Sequence, residues 1–141
     1  MKKIVWLLIP AVFMIYSCNK GCMDVNASNY DSGATKDNGD CTYKGTLTLW
    51  YQQSKSLAWE NAGVTSLNLY VGDVFVDSYP VTDYWVTKPD CADAGTINAS
   101  KNMGTQTTKD YIWELRDQND NLLISDTWSA TGGGCETIQV Q

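Results

Sequence analysis

The chain has no histidine. That excludes Ser–His and Cys–His nucleophile pairs, His-ligated zinc, and the commonest general base at neutral pH. Basic residues are few: 10 against 16 acidic ones, a net charge of −6. An acidic surface repels phosphates and excludes nucleic acid as a partner. No apolar run is long enough for a spanning helix, which needs about 20 residues. No C-x-x-C pair suggests a zinc site, and no twelve-residue loop ending in Glu suggests an EF-hand. Gly132-Gly133-Gly134 is not followed by the helix and Lys of a phosphate loop, so it reads as a flexible turn that lets Cys135 reach its partner.

The first residues have a pattern of their own. Lys2 and Lys3 precede an apolar stretch, residues 4–16, interrupted only by Pro10, and polarity rises at Asn19. A charged start and a short apolar run are the pattern of an export signal. Ile15-Tyr16-Ser17-Cys18 resembles a bacterial lipobox. That resemblance implies a signal peptide over residues 1–17, cleavage before Cys18, and lipidation of Cys18. Several acyl chains would anchor stably, at about 0.8 kcal/mol per buried CH₂. The expected location is the cell envelope, anchored to the outer membrane by lipid. Loss of Lys2 and Lys3 would leave 8 basic against 16 acidic residues, a net charge of −8.

Assigning Cys18 to lipid leaves Cys22, Cys41, Cys91 and Cys135, an even set that in an exported protein reads as two disulfides. Three pairings are possible. The most local, Cys22–Cys41 with Cys91–Cys135, is preferred, and a Cys₄ zinc site is the rival.

Residues 21–43 read GCMDVNASNYDSGATKDNGDCTY. Gly21, Cys22, Asp24, Ala27, Asn29, Tyr30, Ala34, Asp37, Gly39, Cys41 and Tyr43 match a cysteine-bounded motif, and the segment resembles a short module that recurs in surface and secreted proteins of Bacteroidota. With so few apolar residues it needs a disulfide or a metal to hold it. Its oxygen donors Asp24, Asn26, Asn29, Asp31, Asp37 and Asp40 suit calcium (Ca2+), and faintly resemble thrombospondin type 3 loops. The alternative is that these residues simply form turns.

Residues 44–141 show no long helical period. Short alternating runs between turn residues predict strands over 45–52, 65–71, 74–79, 83–87, 96–100, 109–116, 122–128 and 136–140. The fold class expected is mainly β: an antiparallel β-sandwich of seven to eight strands behind a disulfide-stapled irregular module, broadly similar to immunoglobulin-like or transthyretin-like domains. Gly72-Asp73 marks a two-residue hairpin. It would set Val71 against Val74 and Leu69 against Val76 on the core face, with Tyr70 and Phe75 paired on the other. Tyr111, Trp113 and Leu115 share a face, Ile138 and Val140 point inward, and residues 53–63 form either a helical turn or a loop.

The aromatic residues suggest either core filling or sugar stacking. Trp59, Trp85 and Tyr84 are the candidate ligand-binding residues, because both tryptophans lie near predicted loops. Glu60, Asp83, Glu114 and Glu136 could in principle pair as acid and base, but no motif groups them. The expected function is therefore a non-enzymatic binding or structural role in a lipid-anchored envelope protein, with an envelope protein or a glycan as partner. The alternatives are a carbohydrate-binding accessory lipoprotein and a small carboxylate-dependent hydrolase.

Overall fold

The computed structural model describes residues 18–141; the signal segment, residues 1–17, lies outside the described residues. In chain order the elements are β1 Lys20–Gly21, β2 Lys36–Asp37, β3 Tyr43–Trp50, α1 Gln53–Asn61, β4 Ser66–Val71, β5 Val74–Pro80, β6 Ile97–Gly104, β7 Thr108–Arg116, β8 Leu122–Thr131 and β9 Cys135–Gln139. A three-stranded sheet, β6-β3-β9, packs on a four-stranded sheet, β5-β4-β7-β8, and β1 and β2 form a small ribbon in the leader.

The protein is mainly β, a sandwich of two sheets. Alternation along the strands produces it: Leu47, Leu49, Ile97 and Ala99 face Leu67, Leu69, Val71, Trp113, Leu115 and Trp128, all 3% exposed or less. Each such aliphatic or aromatic side chain contributes about 1.5–3 kcal/mol on burial. The sheets approach closely where β3 crosses β8. A Cβ on Gly45 would lie 3.0 Å from the Ala130 Cβ and 3.3 Å from the Trp128 ring.

One pairing departs from the antiparallel expectation. β9 lies parallel to β3, with Thr46 opposite Cys135 and Trp50 opposite Gln139. The chain leaves β8 in the other sheet, turns through the glycines at 132–134 and enters beside β3 running the same way. A strand arriving from the other sheet carries no hairpin constraint on its direction.

The Gly72-Asp73 hairpin forms with both residues at φ 60°, as a type I′ turn requires. Val71 pairs with Val74 and Tyr70 with Phe75, but a bulge between Leu69 and Tyr70 sets Leu69 opposite Asp77 instead of Val76. Nor does Val74 join the core: it is 56% exposed on β5, an edge strand. Val76 is half-buried against the core. Val140 is buried, with Ile138 half-buried beside it.

Residues 83–87 are not a strand. They belong to a long connection, 81–96, that carries the chain from β5 in one sheet to β6 in the other. Crossing the end of the sandwich leaves them no neighbouring strand, and Trp85 N–H makes a single backbone bond, to Tyr51 O at 2.9 Å.

The uncertain insert is a nine-residue helix. Ser56 and Trp59, one turn apart, face the sandwich and are buried. The helix ends where Gly63 adopts φ +83° and Val64 N–H bonds back to Trp59 O at 2.9 Å, a left-handed glycine stop.

Candidate functional site

The cysteine-bounded leader occupies one end of the sandwich, and its motif positions are what hold it together. Cys22 and Cys41 are joined by a disulfide, with Cα atoms 5.0 Å apart. Tyr43, which the sequence pattern assigns to the leader, is the first residue of β3, and its hydroxyl donates to Asp24 Oδ2 at 2.7 Å. This bond holds the Asp24 carboxyl below the ordinary carboxylate range and the Tyr43 phenol above its ordinary value. The Asn29 side chain accepts from Thr42 N–H and donates to Asp40 O, both at 2.8 Å. Ala27 is buried in the same core as Cys22 and Tyr43. Gly133 lies directly on the backbone of Asn26, closing the β8–β9 turn over the leader.

Three of the six residues singled out for calcium cap turns. Asp24 Oδ1 accepts from Asn26 N–H, Asp31 Oδ1 from Gly33 N–H and Asp37 Oδ1 from Gly39 N–H, all at 2.9–3.1 Å. These are Asx turns, in which the side-chain oxygen satisfies the backbone two residues on. Asn26, in a turn, and Asp40 are both exposed. Among the described residues no three His, Cys, Asp or Glu side chains are grouped to hold a metal.

Cys18 is exposed and unbonded, and the chain is tied down immediately after it. Asn19 O accepts from Thr35 N–H at 2.8 Å, and the Asn19 amide donates to Asp31 Oδ2 and Gly33 O at 3.3 Å.

The opposite end of β3 carries two adjoining recesses. Trp85 and Val86, from the long connection, face Gln52, Gln53 and Ser54 at the start of α1 across a groove of about 220 Å³. Gln52 and Ser54 also border a second lobe of about 350 Å³, whose far side is Gln139 and Val140. Tyr51 holds this end together: its hydroxyl donates to Val81 O at 3.0 Å, its carbonyl receives Trp85 N–H, and its ring meets Trp59 edge-on at 5.0 Å. Burial, reinforced by Asp83 and Glu60, pushes its phenol well above the ordinary value, so the hydroxyl stays protonated as donor. The connection is pinned at its other end by the Cys91–Cys135 disulfide, which spans Thr48. The Thr48 hydroxyl accepts Ala92 N–H at 3.0 Å and donates to Asn98 Oδ1 at 2.8 Å.

Of the three candidate ligand-binding aromatics, the structure brings only Trp85 to the groove. Its ring is half-exposed, with the indole N–H directed to Gly95 O at 3.4 Å. Tyr84 beside it is 38% exposed. Trp59 is a correction: at 8% exposure it is a core residue that seats α1, with Lys55 Nζ 5.0 Å from its ring. Gln52, Gln53, Ser54 and Gln139 carried no sequence signal, because the groove is assembled from three segments distant in the chain. Of the four carboxylates weighed as acid or base, Glu114 is paired with Arg116 at 2.7 Å, while Glu60, Asp83 and Glu136 are exposed on α1, the connection and β9.

A second surface is the outer face of the four-stranded sheet. Phe75, Ile112 and Leu122 are each more than half exposed there, around Arg116, which lies 5.0 Å from the Tyr70 ring.

Comparison with protein-family models, with curated proteins and with solved structures found no match to this chain.

Proposed function

We propose that this is a lipid-anchored cell-envelope protein with a non-enzymatic binding role, and that the groove at Trp85 is its contact site. The observation that carries this reading is polarity along β3. The leader, with Cys18 at its start, packs at the Tyr43 end, and the groove opens beyond the Trp50 end. The eight residues of β3 separate the two by about 26 Å, at about 3.3 Å per residue. Lipid on Cys18 would seat the leader on the membrane and hold the groove on the side away from it. Because Asn19 is already bonded into the leader, the anchor would have almost no slack.

The site suits binding more than turnover. A connection of this length without secondary structure is usually functional, and here a disulfide and Tyr51 hold it in place before any ligand arrives. Such preorganisation lowers the ordering cost of binding. The exposed apolar residues around Phe75 and Ile112 favour a second reading, a protein partner on the outer sheet face.

The test has two arms. Palmitate labelling in cells should disappear in Cys18→Ala. Capture of envelope material by the purified protein should be lost in Trp85→Ala and kept in Ile112→Ser. Labelling that survives Cys18→Ala overturns the anchor. Capture lost only in Ile112→Ser transfers the contact site to the sheet face.

A further inference from the structure

We propose that the groove takes a neutral, hydroxyl-rich oligosaccharide, one ring stacked on Trp85 and the chain continuing past Gln52 toward Gln139. This rests on the groove being the contact site argued above, and adds the ligand class and the direction in which the ligand lies.

The lining chemistry selects the class. The Trp85 lobe offers one aromatic platform, the two amides of Gln52 and Gln53, and the Ser54 hydroxyl. Side-chain amides and hydroxyls both donate and accept, matching sugar hydroxyls, which do the same. Among the described residues no Asp or Glu side chain lines either lobe. The one cation, Lys55, is already directed at Gln141 O at 2.9 Å, with its ammonium over the Trp59 ring. An acidic glycan would therefore find no free cation, on a chain whose net charge of −6 repels it. Four of the lining residues, Gln52, Gln53, Gln139 and Gln141, are glutamines, so side-chain amides are the commonest polar groups along it.

The geometry sets the extent. The two lobes share Gln52 and Ser54 in their linings, so they lie side by side at the first turn of α1. The larger lobe, about 350 Å³, ends at Gln139 on β9. The Trp85 lobe is about 220 Å³ and the second about 350 Å³, so a single ring would occupy one lobe and a longer chain would reach both. Trp85 would then supply affinity, and Gln139 would sense chain length.

The experiment is calorimetric titration of the whole protein in detergent with neutral di- and tetrasaccharides (glucose, mannose and N-acetylglucosamine series) and with uronate tetrasaccharides. At least one neutral series should bind and the uronates should not. Trp85→Ala should weaken every binding neutral ligand by about tenfold or more, the equivalent of about 1.4 kcal/mol. Gln139→Ala should weaken the tetrasaccharide by severalfold and leave the disaccharide unchanged. That variant keeps the proposal testable if Trp85→Ala fails to fold. Uronates binding as tightly as neutral chains, or a Gln139→Ala effect equal on both lengths, would overturn it. So would no saccharide binding while Trp85→Ala still abolishes capture of envelope material; that result leaves the contact site standing and makes its ligand a peptide or lipid headgroup.

Discussion

Asp117 shows how much a single carboxylate contributes in a protein with so few charges in its interior. It sits at the β7–β8 turn, 8% exposed. It accepts from Asn119 N–H and Asn121 N–H at 2.8 Å and from the Asn121 amide at 2.9 Å. The Asn121 side-chain bond, then the two backbone bonds, hold its pKa below the ordinary carboxylate value. A group whose pKa is lowered by folding binds its proton less tightly when folded. Its stabilisation is therefore complete above the ordinary carboxylate value and fades as pH falls through the lower, folded one. Asp24 follows the same sign through its bond from Tyr43. Asp117→Asn should thus lower Tm at pH 7, and the gap to the parent should close as melts are repeated toward pH 2. A gap of constant size across that range would contradict the assignment.

The element with most leverage over the groove is the connection between β5 and β6. It has no ladder of its own and is held by the Tyr51–Trp85 backbone bond, the Thr48–Ala92 bond and the Cys91–Cys135 bridge. That bridge joins residues 44 apart, a closure worth about 4 kcal/mol in the chain-entropy model. Replacing both cysteines with alanine should lower Tm by several degrees. It should also open the connection to limited proteolysis between 82 and 96 while β7 and β8 stay protected. Cleavage spread evenly over the sandwich would show instead that the bridge stabilises the fold as a whole.

For the whole molecule, the question is what stabilises a leader with so little apolar content. Asp24, Asp31 and Asp37 accept turn hydrogen bonds, and its buried residues Cys22 and Ala27 continue the sandwich core. The leader is held by its disulfide and by docking on β3 and the β8–β9 turn. Millimolar calcium or a chelator should leave both Tm and leader proteolysis unchanged. A calcium-dependent rise of several degrees would mean that the turns open to form a site.

Much of this architecture was legible in the residues, because local periodicity carries it. The alternation of Leu67, Leu69 and Val71, the positive-φ demand met at Gly72-Asp73, and the even cysteine set led to the sandwich, the hairpin and the preferred disulfide pairing. The six oxygen donors were equally visible, but composition could not separate ligands from turn formers, since both uses call for Asp and Asn. Three features depended on contacts between distant segments. The bulge between Leu69 and Tyr70 offsets β5 by one residue against the alternation of its own sequence. The parallel entry of β9 depends on where the chain crosses between sheets. Trp59 and Trp85 look alike as tryptophans near loops, but one seats a helix in the core while the other lines a groove. The difference is which neighbours the fold brings to each ring, and the residues facing Trp85 across the groove, Gln52 to Ser54, lie more than thirty residues away along the chain.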